Sequence, residues 1–390
     1  VAQGPGRRRR LGPGWLSGLG SLPAVRCAPR LMAVLVVFLV LSSGCSDDDG
    51  GDASAPEETA TTTGVGAGTA ATDPAGADDD RCEPAAGIGP GTEVLEVASG
   101  GVTRSVQRVL PAQISDGARL PLVIDLHGFS SGIDEQSLFS AMPERAGARG
   151  FVVLTPQGVT ATVPIGGAVL EAAYWNAQST EPDGAVDDVA FLTDLIETAV
   201  TDLCVDPARV HLTGNSMGAA MATTMACARP DLIASIAPIA GVNLAAECDD
   251  PGPVPVLAFH GDADPIVPFE GGATARQPSD LVPVPDRMAD LATAAGCDPT
   301  AVTTRVRDDI DHTVWSGCEP GVDVQLYRVI GGGHTWPGML DYVDMGRLAE
   351  IGQDQALVSA AGLDLAQVAG NMTTSISATD LALDFFEAHP

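Results

Sequence analysis

The sequence predicts an α/β protein: a mostly parallel central sheet with helices on both faces. From about Gly89 onward, short β-branched runs that read as buried strands alternate with helical patterns. One of those runs, Val210 to Thr213, breaks at Gly214 and passes at once into a run of small and apolar residues, Met217 to Ala228. That junction is a sharp strand–turn–helix, and the rest of the chain is organised around it.

Length and charge bound the reading. A chain of 390 residues holds one large α/β domain or two small ones, and no internal repeat is visible. It carries 51 acidic against 20 basic residues, a formal charge of −31, and every basic residue is arginine. The absence of lysine excludes Schiff-base lysines, a P-loop lysine and a Ser-x-x-Lys nucleophile pair. The acidity argues against nucleic acid as a partner, because that surface must displace counterions with positive charge.

Residues 1–45 read as a leader. Arg7 to Arg10, Arg26 and Arg30 precede an apolar run, Leu31 to Leu41, of 11 residues, the length of a secretory signal core and short for a membrane span. Leu41-Ser42-Ser43-Gly44-Cys45 resembles a bacterial lipobox, with Ser42 where leucine is commonest. Cys45 is the expected lipidation site, and an ordinary secretory signal is the alternative. Residues 46–88, rich in Asp, Gly, Ala and Thr, read as a disordered acidic tether. Residues 89–390 are the expected folded domain.

Within it, Val102 to Pro111 alternates and reads as an edge strand. Leu120 to Gly128 is a buried strand ending in His-Gly. A helix near Ser137 to Ala148 precedes a second buried strand, Gly150 to Pro156. Val186 to Leu203 is an amphipathic helix opened by Asp187 and Asp188, which suit a helix N-terminus. After the junction come Ile233 to Ile239, the strand Val254 to Gly261, a helix over Asp286 to Ala295, a last strand Val322 to Ile330, and a closing helix Thr379 to Glu387. Asp341 to Met372 reads as an inserted helical excursion.

Gly214-Asn215-Ser216-Met217-Gly218 matches G-x-S-x-G. So does Gly128-Phe129-Ser130-Ser131-Gly132, and context separates the two. Ala219, Ala220 and Ala222 follow the first match and let a helix lie close on a sheet; no immediate small-residue helix follows the second. Ser216 is therefore the candidate nucleophile, at the positive end of the helix. A serine site of this architecture runs in the order serine, acid, histidine. Of six histidines, His127, His211 and His260 come too early, His312 lies in a polar segment between two cysteines, and His389 is beside the C-terminus. His334, in a glycine-rich loop beyond a strand, is the candidate base. For the acid, Asp262 and Asp264 both follow the strand ending at Gly261. Asp264 is the better candidate, with Asp262 as a turn-former. The two oxyanion donors are expected to be the N–H groups of Met217 and Phe129. That gives the second G-x-S-x-G the role of oxyanion loop, with His127 bracing it.

Together the motifs LHG, GNSMG, HGDADPIVP and GGGHTWPG, supported by Tyr174-Trp175-Asn176-Ala177, Val186-Asp187-Asp188-Val189 and Cys204 to Val210, resemble the secreted poly(3-hydroxybutyrate) depolymerase / feruloyl esterase family, of carbohydrate esterase family 1 type. The resemblance covers roughly residues 95 to 390. It implies an α/β-hydrolase fold, Ser216, Asp264 and His334 as a triad, no metal and no cofactor, and an ester substrate. That substrate would be a polyhydroxyalkanoate, or a feruloyl or acetyl ester of polysaccharide. The segment beside His334, Asp341 to Met372, is longer than the family leads one to expect. An acyltransferase on the same triad and a non-catalytic surface-binding lipoprotein are the rival readings. The resemblance also supports a Cys297–Cys318 disulfide around a short hairpin-like stretch. Cys204 and Cys248 each precede a strand by six residues and would pair if those strands are neighbours. Cys82 and Cys227 are left over, Cys227 as readily a buried thiol. Trp175 and Trp336 are candidate walls of the acyl pocket, beside the alternative of core packing. Membrane contact is expected only through the lipid.

Overall fold

The computed structural model describes residues 82–165, 168–177, 186–248, 252–273, 280–343 and 368–390. The expected leader with Cys45, the tether as far as residue 81 and most of Asp341 to Met372 lie outside the described residues. In chain order the elements are β1 (Gly91–Ser99), β2 (Val102–Leu110), β3 (Leu120–Leu126), α1 (Ile133–Ser140), α2 (Met142–Ala148), β4 (Val152–Pro156), β5 (Val159–Ile165), β6 (Ala168–Tyr174) and α3 (Asp188–Asp202). There follow β7 (Val205–Asn215), α4 (Met217–Ala228), β8 (Ser235–Ile239), β9 (Val256–Gly261), α5 (Val284–Ala294), β10 (Ala301–Arg307), β11 (Ile310–Trp315), β12 (Val324–Val329) and α6 (Ala378–Ala388).

Ten of these strands form one sheet in the order β1-β2-β4-β3-β7-β8-β9-β12-β11-β10. The six from β4 to β12 in that order are mutually parallel, and antiparallel pairs border them on both sides. Both faces of the parallel strands are apolar because each face has its own helices to bury. Along β3, Leu122, Ile124 and Leu126 pack into the core under α3, α4 and α5, while Val123 points into a second core under α2 and α6. Along β9, Val256 and Ala258 face the first core and Leu257 and Phe259 the second. The chain runs from β3 out to β4 and then returns to the other side of β3 as β7. The C-terminal ends of β3 and β7 therefore flank a topological switch point, where a crevice opens in such sheets.

Several expectations need correction. Val102 to Leu110 is not the edge: β1 pairs along its whole length and takes that place. β1 escaped notice because its side chains are largely exposed and give little alternation of burial. The helix expected near Ser137 to Ala148 is two helices, divided at Ala141, whose φ is +49°. The β5–β6 hairpin was missed. The hairpin-like stretch between Cys297 and Cys318 is β10–β11. Asp187 caps α3 by accepting the Ala190 N–H, whereas Asp188 is buried against Arg104 at 2.5 Å. Residues 82–88 belong to the folded body rather than to the tether. Cys82 is bonded to Cys204, and the Cys82 and Ala85 N–H groups donate to the Gly117 and Asp202 carbonyls.

Among the described residues three disulfides occur: Cys82–Cys204, Cys227–Cys248 and Cys297–Cys318. The third was expected. The proposed Cys204–Cys248 pair does not form, because its premise fails. β8 lies between β7 and β9, so the strands that follow the two cysteines are not neighbours. Cys227, on the elbow helix, reaches Cys248 instead and is not a free thiol.

Candidate active site

β7 ends at Asn215 and α4 begins at Met217. Ser216 alone makes the turn, with φ +56° and ψ −115°. A non-glycine residue there costs about 1–3 kcal/mol, so the surroundings must hold it. They do so from two sides. The Ser216 N–H donates to the Ile239 carbonyl at 2.8 Å. A Cβ on Gly241 would stand 2.1 Å from the Ser216 carbonyl oxygen, so the chain after β8 lies directly on the turn. A Cβ on Gly218 would stand 2.0 Å from the Leu126 carbonyl oxygen, which is why the helix can rest against the end of β3 only with glycine there.

The loop after β3 lies alongside. Leu126 is paired with Gly214, and a Cβ on Gly128 would be 3.5 Å from the Ser216 Cβ. The Met217 N–H opens a helix and has no partner within it. The Phe129 N–H also has no hydrogen-bond partner among the described residues. His127 braces this loop, as expected. It is fully buried, its Nδ1–H donates to the Gly128 carbonyl at 2.7 Å, and its Nε2 accepts the Gly158 N–H at 2.8 Å. Burial pushes its pKa down to about 4, so it is neutral at pH 7. The Ser130 N–H donates to the Ala173 carbonyl on β6, which ties the missed hairpin to the same loop.

His334 and Asp264 come together. The His334 Nδ1–H donates to Asp264 Oδ2 at 2.7 Å, and Asp264 Oδ1 accepts the N–H groups of Ile266 and Val267 at 2.8 and 2.9 Å. Burial works against the Asp264 charge, but the His334 ring, its hydrogen bond, His260 and the Val267 N–H outweigh it and hold the carboxyl below its ordinary value. Asp262 does other work: it accepts two bonds from Arg328 and one from the Gly331 N–H, and so fixes the turn and the start of the His334 loop. Sequence reasoning passed over His260. Its Nε2 donates to the Val267 carbonyl at 2.8 Å and lies 3.6 Å from Asp264 Oδ2. The strand-end His-Gly before the acid was its only signal.

Backbone contacts run from the elbow to this pair: Ser216 N–H to Ile239, Ala240 N–H to Phe259, and Ala263 N–H to Gly332. Among the described residues no hydrogen bond joins Ser216 to His334. Such bonds are often loose in a free enzyme and tighten with substrate.

Both tryptophans expected beside the acyl pocket are buried and hydrogen-bonded. Trp175 is 2 % exposed, lies in the first core and donates its indole N–H to the His127 carbonyl. Trp336 is equally buried and donates to Thr379 Oγ1 on α6. Both indoles use their N–H to brace neighbouring elements. Two clefts among the described residues, of about 430 and 280 Å³, lie at the opposite end of the sheet. They are lined by residues such as Pro255 and Val322, and Arg119 and His211, and neither holds a triad candidate. No metal-ligating cluster occurs among the described residues.

Comparison with known proteins gives the family. The model of the dienelactone hydrolase family matches residues 112–277, a span that includes Phe129, Ser216, Met217 and Asp264. NocK of Nocardia uniformis subsp. tsuyamanensis, assigned as an esterase, is 30% identical over 268 residues, covering 63% of this chain and 74% of NocK. The chain belongs to the dienelactone hydrolase family. It has an α/β-hydrolase fold and is a carboxylic ester hydrolase. Feruloyl esterase B of Piromyces equi is 29% identical over 241 residues, covering 60% of this chain and 42% of that protein. The bifunctional acetylxylan esterase/xylanase XynS20E of Neocallimastix patriciarum is 24% identical over 268 residues, covering 67% and 35%. The chain thus spans less than half the length of these last two relatives.

Proposed function

We propose that this dienelactone hydrolase family member cleaves carboxylic esters through a Ser216–His334–Asp264 triad and an acyl-enzyme. The observation that carries this reading is the 2.7 Å bond from His334 Nδ1 to a buried, twice-backbone-bonded Asp264. That bond keeps the proton on Nδ1 and leaves Nε2 as the base. Ser216 Oγ attacks the ester carbonyl while His334 Nε2 takes its proton. The carbonyl oxygen becomes an oxyanion held by the Met217 and Phe129 N–H groups; one such donor contributes about 10²–10³-fold in rate. The C–O bond to the alcohol then breaks, and His334 returns the proton to the leaving oxygen. Water, deprotonated by the same nitrogen, releases the acid and restores Ser216.

For the substrate we propose a feruloyl or acetyl ester of polysaccharide, following the names of the relatives. The four ordered motifs keep a hydroxybutyrate oligomer as the second reading. The disulfides fit an oxidising compartment. On the lipobox-like sequence at Cys45 we further propose export and lipid anchoring, with residues 46–81 as the tether. Metabolic labelling with palmitate, lost in Cys45→Ala, tests the anchor.

A panel of p-nitrophenyl butyrate, methyl ferulate, acetylated xylan and a hydroxybutyrate oligomer, with and without added alcohol acceptors, tests the chemistry. Turnover that disappears in Ser216→Ala supports the triad, and the preferred member names the substrate class. Ester products on the acceptor would point to transfer, and no turnover from a folded protein would sink the reading.

A further inference from the structure

A hydrogen-bonded chain of buried polar groups runs into the second core, apart from the buried His211–Ser235 pair that packs on Phe151 and Phe386. Asp125 lies on β3, two residues before His127, fully buried, and no ion pair to it occurs among the described residues. Its Oδ1 accepts the Gln136 amide and its Oδ2 the Ser140 hydroxyl, both at 2.6 Å and both from α1. Ser140 Oγ in turn accepts the Met142 N–H at 3.1 Å. The Ser140 carbonyl accepts the Thr379 hydroxyl, at the start of α6, at 2.6 Å. Thr379 Oγ1 then accepts the indole N–H of Trp336 at 3.0 Å. Trp336 is two residues after His334. Tyr342, further along that loop, donates its hydroxyl to the Phe139 carbonyl at 2.8 Å. The Tyr342 hydroxyl also lies 3.3 Å from Thr379 Oγ1. From the indole the bonds run Trp336 to Thr379 to Ser140 to Asp125.

Such a chain is an expensive way to fill a core. The core it enters holds Val123, Met142, Val153 and Phe386, and an apolar side chain of similar size would carry no desolvation penalty there. What a polar chain does, and apolar packing does not, is allow one arrangement only, since any slip leaves a buried donor or acceptor unpaired. Its two ends say what is being held. One end is the strand that runs into the Phe129 loop and pairs, Asp125 to Thr213, with the strand that carries Ser216. The other is the loop that carries His334.

We propose that Asp125 and Thr379 are positioning residues that set the His334 loop against the oxyanion strand through Ser140 and Trp336. The proposal rests on the triad reading above. Neither residue touches substrate; each acts through the distance between the base and the place where the oxyanion forms. Displacements of about 1 Å at such a site cost up to about 10²-fold in rate, while substrate binding is hardly affected. Burial raises the Asp125 carboxyl to about 7, against the bonds from Ser140 and Gln136.

The test uses the whole protein and p-nitrophenyl butyrate, with competent sites counted by fluorophosphonate titration. Thr379→Val removes the hydroxyl at constant size. It should lower kcat per titrated site by about tenfold with KM within about twofold. Thr379→Ser, which keeps the hydroxyl, should restore most of the loss. Asp125→Asn should lower kcat by about threefold, and the double variant should lose little more than Thr379→Val alone, because the two changes break one chain. If Thr379→Val fails to fold, the kcat of Asp125→Asn per titrated site decides. The proposal is overturned if kcat per site stays within twofold in both single variants while only the melting temperature falls, or if the two losses multiply. A separate arm guards the premise: turnover that survives Ser216→Ala overturns the triad reading itself, whatever Thr379 and Asp125 do.

Discussion

Gly128–Gly132 and Gly214–Gly218 are the same five-residue pattern, at the ends of neighbouring parallel strands, and they do different things. Both central serines adopt positive φ, +61° at Ser130 and +56° at Ser216. The difference lies in where the next helix begins. After Ser216 it begins at once, so the serine is the helix cap, at the positive end of α4. After Ser130, α1 does begin, at Ile133, but its cap is Gly132. The Ser130 N–H is committed to Ala173, and what the loop presents is the free N–H of Phe129. On the proposed mechanism one pattern offers an oxygen and the other a backbone donor, and the register of the following helix decides which.

Four predictions sharpen that contrast, in order of size. Ser216→Ala should lower kcat by about 10⁴–10⁶-fold, whereas Ser130→Ala should stay within about threefold; ester hydrolysis by the two variants at matched folded concentration measures both. Next, Asp264→Asn should cost about 10²–10⁴-fold in kcat through the wrong tautomer of His334. Asp262→Asn, which loosens Arg328 and Gly331, should instead cost about 1–3 kcal/mol of stability with kcat changed less than about tenfold, as denaturant melts and steady-state rates would show.

Gly241→Ala comes third. Its new Cβ would meet the Ser216 carbonyl oxygen at 2.1 Å, so the strained turn has to move. The expected result is a loss of about 1–3 kcal/mol together with at least tenfold in kcat, read from the same two assays. The smallest effect is on pH. The Asp125 carboxyl is raised from 3.8 to about 7, so the folded state holds that proton where the unfolded chain has released it. Its contribution to stability is full below about pH 4 and is lost as pH rises to about 7. The stability of the wild type relative to Asp125→Asn should therefore fall over that interval and stay flat above it, in melts at pH 4 through 8.

Much of this was legible before any coordinates. The apolar runs at Leu120, Phe151, Val210 and Val254 mark strands whichever face they bury, and the candidates Ser216, Asp264 and His334 were reached from one strand–turn–helix, the two aspartates after Gly261 and the elimination of five histidines. What escaped was information carried by neighbours rather than by the local chain. β1 is exposed and its pattern weak. The Cys204–Cys248 pairing needed the sheet order, which local periodicity does not contain. Trp175 and Trp336 sit beside the right motifs, but which way an indole turns depends on the partner for its N–H, here His127 and Thr379, both distant in sequence. His260 and Gly241 carried no signal except proximity to the acid strand and the elbow.

The most direct test of the central claim is to trap the acyl-enzyme. The protein is treated with an alkyl fluorophosphonate, digested, and the adduct located by mass spectrometry, with Ser130→Ala and His334→Ala as companions. The account predicts one adduct, on the peptide holding Ser216, unchanged in Ser130→Ala and strongly slowed in His334→Ala. An adduct at Ser130, or stoichiometric labelling of Ser216 that ignores the loss of His334, would contradict it.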